Sequence, residues 1–144
     1  MANPPQPRAV LWVSLWLLWA ALLTIASHVP GELAPEPPFE GADKAFHIGA
    51  YLVLGVIGVG AVARVRRDWP RPLVGSAALV VGALFGALDE YHQSFVAGRH
   101  MSMQDWLTDL LGLALAVILA RAARGKLARG WLAAGEDSAI GEAD

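Results

Sequence analysis

Four stretches of this chain run almost free of charge, and polar or proline-rich segments separate them. The first covers residues 9–27, which carry no ionisable side chain. At ~1.5 Å of rise per residue a helix of that length covers ~28 Å, close to the ~30 Å hydrocarbon core of a bilayer. Trp12, Trp16 and Trp19 recur at i, i+4 and i+7 and so share one face of that helix. The run exceeds the roughly 7–15 apolar residues of a secretory signal core, which favours a retained span. Residues 28–42 follow with four prolines and three glutamates. Such a segment is neither a regular helix nor backbone immersed in lipid, so it is a loop outside the bilayer core.

The second apolar stretch, residues 45–63, is approached through Asp43, Lys44 and His47, with Tyr51 one turn deeper. Side chains four apart lie close together on a helix, so Asp43, His47 and Tyr51 form one slowly turning stripe. A short basic hairpin with Arg64, Arg66, Arg67 and Arg71 leads to Pro72, a favourable first-turn residue. The third span is predicted over 72–96, with small residues at Gly75, Ala78, Gly82, Ala83 and Gly86 that allow close helix packing. A turn at 97–102 follows, in which Ser102 is the expected N-cap of a fourth span over 103–123. Residues 1–8 form a proline-rich lead, and 124–144 a tail that starts basic, ends acidic and is expected to be disordered.

Composition agrees with this pattern. The chain has 144 residues, of which 56% are hydrophobic and only 17% charged, against roughly 25% charged in an ordinary soluble domain. The fold class expected is an all-α membrane protein of four transmembrane helices, one membrane domain over 9–123. Without cysteine, disulfides and thiolate metal sites are excluded.

The net charge of −2 conceals an asymmetry. With both termini cytoplasmic, nine basic residues (Arg8, Arg64, Arg66, Arg67, Arg71, Arg121, Arg124, Lys126, Arg129) lie inside and two (Lys44, Arg99) outside. That bias predicts an inside N-terminus. The basic residues then act as topology determinants, and nucleic acid is not an expected partner. The polar ends of the second, third and fourth spans would all face the outer leaflet.

In the third span Asp89 and Gln93 are i, i+4, and Glu90 and Gln93 are i, i+3; in the fourth, Asp105 and Asp109 are i, i+4. An ionisable residue inside a span is a functional candidate, and a buried carboxylate needs a partner. Lys44 and Arg99, with Tyr51 and His47, are the expected partners of Asp109. One reading is a structural network that pins the helices in register. The other is a cavity in which Asp43, Lys44, Tyr51, Asp89, Gln93, Arg99, Asp105 and Asp109 bind a ligand, with Glu90 and His47 as an acid–base pair. His28, His92 and His100 read as structural or solvated. His47 with several carboxylates could form a mixed metal site, but no H-x-x-x-H or H-E-x-x-H spacing supports one, so neither metal nor cofactor is expected. No nucleophile-elbow pattern surrounds Ser94 or Ser102.

The chain resembles the VanZ-like family of small bacterial membrane proteins over roughly residues 10–120. The resemblance rests on Ser27-His28-Val29-Pro30, on Asp43-Lys44-x-x-His47-x-x-x-Tyr51, and on Asp89-Glu90-x-x-Gln93-x-Phe95-x-x-Gly98-Arg99-x-x-Ser102-x-x-Asp105 followed by the Gly112 region. Asp109 stands where the family often has Asn, and Ala97 where it often has Pro. The resemblance implies a bacterial cytoplasmic-membrane protein, and the family's named member is associated with teicoplanin resistance. The function expected is binding of a lipid or lipid-like amphiphile in an outward-facing polar cavity. A small intramembrane enzyme acting on a lipid-linked substrate is the alternative; proton or ion conduction is weaker, because no comparable charge lies halfway across a span.

Overall fold

A computed structural model describes residues 7–35 and 37–140, with 124–140 as backbone alone. The expected lead at 1–6, Glu36 of the first loop and 141–144 of the tail lie outside the described residues. Among the described residues the regular structure is all helical: α1 Pro7–Ser27, α2 Ala42–Val65, α3 Arg71–Gln93 and α4 Met103–Ile140, with a 3-10 turn at Gly31–Leu33. α1, α2, α3 and the Met103–Ala123 part of α4 are each long and apolar enough to cross a membrane. α4 continues as helical backbone to Ile140, into the segment expected to be disordered; its Ala, Leu, Arg and Lys residues favour helix intrinsically.

Two boundaries differ from the pattern-based expectation for local reasons. α2 starts at Ala42, three residues early, because Gly41 adopts a left-handed conformation (φ 81°) and its carbonyl accepts the Ala45 N–H. Asp43 and Lys44 therefore stand in the first helical turn. α3 stops at Gln93 rather than running to 96: the Ser94 hydroxyl donates to the Tyr91 carbonyl, and the N–H groups of Ser94, Phe95 and Val96 bond back three residues.

α2 is the central helix, touching the other three, while α1 meets α3 only slightly. The α2–α4 crossing is tight because of a glycine. A Cβ on Gly112 would lie 2.4 Å from the Ile48 carbonyl oxygen, so only Gly lets the two backbones approach this closely. Leu54 and Leu113 fill the core beneath that crossing, at 0% and 1% exposure.

The tryptophans of α1 form a packing face. A Cβ on Gly60 would meet the Trp12 ring, one on Gly58 would touch the Trp16 indole, and Trp19 donates its indole N–H to the Ala50 carbonyl at 3.0 Å. The opposite side of α1, including Leu11, Leu17, Leu18 and Ile25, is exposed, as a lipid-facing surface should be.

Candidate functional site

The chemistry concentrates at the end of the bundle where α1 ends, α2 and α4 begin and α3 ends. On α2, Lys44, His47 and Tyr51 descend from the helix start toward the core. Lys44 pairs with Asp105 and, at 3.1 Å, with Asp43. One turn deeper His47 Nδ1 lies 2.8 Å from Asp109 Oδ1. Another turn down Tyr51 is buried among Phe85 and the α4 helix. The stripe read from the sequence is thus a graded descent from an exposed Asp43 to a buried phenol.

Asp109 is 1% exposed, and its partner is His47, not Lys44 or Arg99. Its other oxygen, Oδ2, is buried without a hydrogen bond. That oxygen and the Tyr51 hydroxyl border Gly86: a Cβ there would stand 3.2 Å from Asp109 Oδ2 and 3.3 Å from Tyr51 Oη. Glycine on α3 therefore leaves the space into which two polar groups of α4 and α2 project.

Glu90, from α3, is buried as well and accepts the Ser102 backbone N–H at 2.8 Å on Oε2. Ser102 fulfils its capping role, its Oγ accepting the Asp105 N–H at 3.2 Å. The same residue thus caps α4 and positions Glu90. His47, Glu90 and Asp109 each offer a ligand atom within 4.8 Å of the others. The donor set, one imidazole and two carboxylates from three helices, is chemically suited to a divalent transition metal. Sequence spacing did not reveal it, because motif spacing detects ligands on one helix and these lie on three.

A second network stands beside the first. The Ser27 hydroxyl, at the end of α1, lies 2.5 Å from Asp89 Oδ2, and Gln93 donates to that oxygen at 3.3 Å. Asp89 Oδ1 is buried and unpartnered. Sequence reasoning placed Ser27 in the motif that carries the family resemblance but gave it no role at the site; its position at the span end, shared with the other polar groups, was the available signal. It also treated His28 and His92 separately, yet their Nε2 atoms are 2.9 Å apart and their ring centroids 4.4 Å apart. His28 Nδ1 is 2.7 Å from the Thr24 carbonyl; donation there leaves Nε2 as acceptor for His92.

Arg99 takes a different position from the one expected. Its Nε donates to the Val29 carbonyl at 3.1 Å, tying the turn after α3 to the loop after α1, and it makes no ion pair among the described residues. The joint is close: Gly31 N–H donates to Ala97 O at 3.0 Å, and a Cβ on Gly31 would collide with the Gly98 carbonyl. Gly98 itself has φ 71°. Arg99 thus fastens the two loops that cover this end. Of the ten residues expected at the site, Lys44, His47, Tyr51, Glu90, Asp105 and Asp109 converge around the α2–α4 start, Asp89 and Gln93 form the adjacent network, Asp43 is at the exposed rim and Arg99 is in the loop joint.

Neither a curated protein nor a solved structure matches the chain. The family model described as VanZ/LLP1 matches residues 10–124, from early α1 to the end of the apolar part of α4, and the protein belongs to that family.

Proposed function

We propose that this VanZ/LLP1-family membrane protein carries out proton-transfer chemistry on the polar part of a lipid or lipid-like amphiphile at its acidic end. The observation that carries the reading is the convergence of His47, Glu90 and Asp109, three ionisable groups from three helices, within 4.8 Å of one another. Asp109 accepting from His47 Nδ1–H fixes the imidazole and leaves the Nε2 lone pair to take a proton. Glu90, held by the Ser102 N–H on one oxygen, keeps its other oxygen for the complementary proton step. A plain receptor for an anionic head group fits less well, because the Lys44 ammonium is already engaged by two carboxylates.

The basic-residue asymmetry supports an outward-facing acidic end in a bacterial cytoplasmic membrane, where surface amphiphiles, cell-wall precursors and lipid-bearing antibiotics such as teicoplanin meet the bilayer. Orientation is tested on the cysteine-free chain by labelling Glu40→Cys with an impermeant maleimide in intact cells; protection there with labelling only after lysis would reverse it.

The function is tested by incubating purified protein with a total lipid extract of its native membrane and following species by mass spectrometry. Wild type should convert at least one lipid, and His47→Gln and Glu90→Gln should not. Identical profiles for all three proteins sink the proposal. The same donors favour one other reading, a resident metal: about one divalent ion per purified chain, lost in both His47→Ala and Asp109→Ala, would make these residues ligands instead of proton carriers.

A further inference from the structure

The opposite end of the bundle carries an arrangement that topology alone does not require. A cavity of about 630 Å³ opens between the end of α2, the start of α3 and α4, and Arg66, Arg67, Arg71 and Arg121 all line it. Three of these come from the α2–α3 connection and its margins, and the fourth, Arg121, from α4. A positive-inside signal needs basic residues near a span end, but it does not need them to converge on a shared hollow. Arg66, Arg71 and Arg121 have no salt bridge among the described residues. Asp68, in the same connection, is exposed and does not line the cavity.

The cavity floor is apolar, formed by Val59, Val74 and Val117. Next to it lies a second hollow, of about 300 Å³, running between α1, α2 and α3 along Trp16, Val62, Ala78 and Val81. Arg66 and Trp69 line both. Their side chains are stacked, the Arg66 guanidinium 4.5 Å from the ring centroid of Trp69, a contact that orients the fork of donors without neutralising it. A wall of one cation and one aromatic therefore separates a cationic compartment from a nearly wholly apolar one.

We infer that the two hollows together hold one anionic phospholipid, its phosphate among Arg66, Arg71 and Arg121 and an acyl chain in the groove beside Trp16. Charge complementarity selects the head group, since arginine forks match phosphate oxygens bidentately. The adjoining apolar groove selects a lipid over a soluble phosphate. Among the described residues no carboxylate lines the cationic hollow, unlike the acidic end, so none there competes for Arg66, Arg71 and Arg121. The site stands at the opposite end of the bundle from the His47–Glu90 cluster and is independent of the chemistry proposed there.

Native mass spectrometry of the full chain in mild detergent, titrated with dioleoylphosphatidylglycerol or dioleoylphosphatidylcholine, tests this. Wild type should retain the anionic lipid at least about tenfold better, because three arginines stand around the hollow that takes its negatively charged head group. Arg66→Ala/Arg71→Ala/Arg121→Ala should abolish that preference. Because that variant also alters the topology signal, Ala63→Phe provides a second arm: it narrows the cavity from its wall and leaves every arginine in the sequence. Loss of the preference in Ala63→Phe supports the site. Equal retention of the two lipids by wild type overturns it, as does undiminished preference in Ala63→Phe. Displacement of the lipid by millimolar inorganic phosphate also overturns it, in favour of a free-anion site.

Discussion

The two ends of this bundle use charge in opposite ways. At the acidic end polar groups are paired across helices, partly or wholly out of water: Lys44 with Asp105, His47 with Asp109, Ser27 with Asp89. At the basic end Arg66, Arg71 and Arg121 remain exposed around a hollow and make no ion pair among the described residues, and Arg66 is stacked on the Trp69 ring at 4.5 Å. Pairing inside the protein fixes geometry at a large desolvation cost, while stacking on a ring leaves the charge available. The first suits a site that must hold atoms in register, and the second suits a site whose partner comes from outside.

The strongest way to break that contrast is at His47. Removing it by His47→Ala leaves a nearly fully buried carboxylate without its partner, and such a loss costs ~3–5 kcal/mol. The cost should appear as a lowered thermal midpoint in detergent. Replacing both members, His47→Leu with Asp109→Leu, should recover most of that stability, since a buried ion pair and an apolar pair of similar volume are often close in free energy. A double variant that is stable yet inactive on the lipid extract assigns the pair to function. One that is stable and fully active assigns it to register alone.

Packing density gives the next comparison. At the acidic end Gly112→Ala would drive a methyl against the Ile48 backbone carbonyl at 2.4 Å, and backbone cannot step aside as a side-chain tip can. A loss of ~1–3 kcal/mol is expected for such overpacking. Toward the basic end, Gly75→Ala brings its methyl to 3.0 Å from Val117 Cγ1, at the margin of the cavity, and should cost less. Equal losses at the two positions would show that the basic end is as rigid as the acidic one. Ser27→Ala, which strips Asp89 of a hydroxyl at 2.5 Å, should cost ~1–3 kcal/mol in the same assay; no change would mean that Asp89 is satisfied by Gln93.

Much of this architecture was legible in the chain because lipid imposes a simple rule on it: apolar runs long enough to cross, and proline-rich or charged segments between them. The helix faces were legible too. Trp12, Trp16 and Trp19 share a face by spacing, and the structure turns that face onto Gly58, Gly60 and Ala50 of α2. Half of the site followed from the Asp43–His47–Tyr51 and Asp105–Asp109 spacings. What periodicity cannot give is which stripe meets which: of the four partners expected for Asp109 it is His47 that pairs with it, while Lys44 goes to Asp105 and Arg99 binds a carbonyl. Ser27 and the arginine cavity escaped for a related reason. A lone hydroxyl and a topology signal each have an ordinary explanation in sequence, and only their spatial neighbours make them unusual.

The smallest expected effect on stability falls at Trp69, and it sharpens the contrast between the ends the most. Trp69→Leu keeps apolar bulk between the two hollows and removes the ring under Arg66, a contact worth ~0.5–1 kcal/mol at an exposed site. Thermal stability should therefore hardly move. The preference for phosphatidylglycerol should fall by a few fold, because an unstacked Arg66 regains rotamer freedom and must be ordered again each time the lipid binds. At the acidic end stability and function are expected to fail together, since the same buried pairs serve both. If Trp69→Leu lowers lipid preference and leaves the thermal midpoint in place, the two properties separate at the basic end, as they should where the charges wait for a partner from the bilayer.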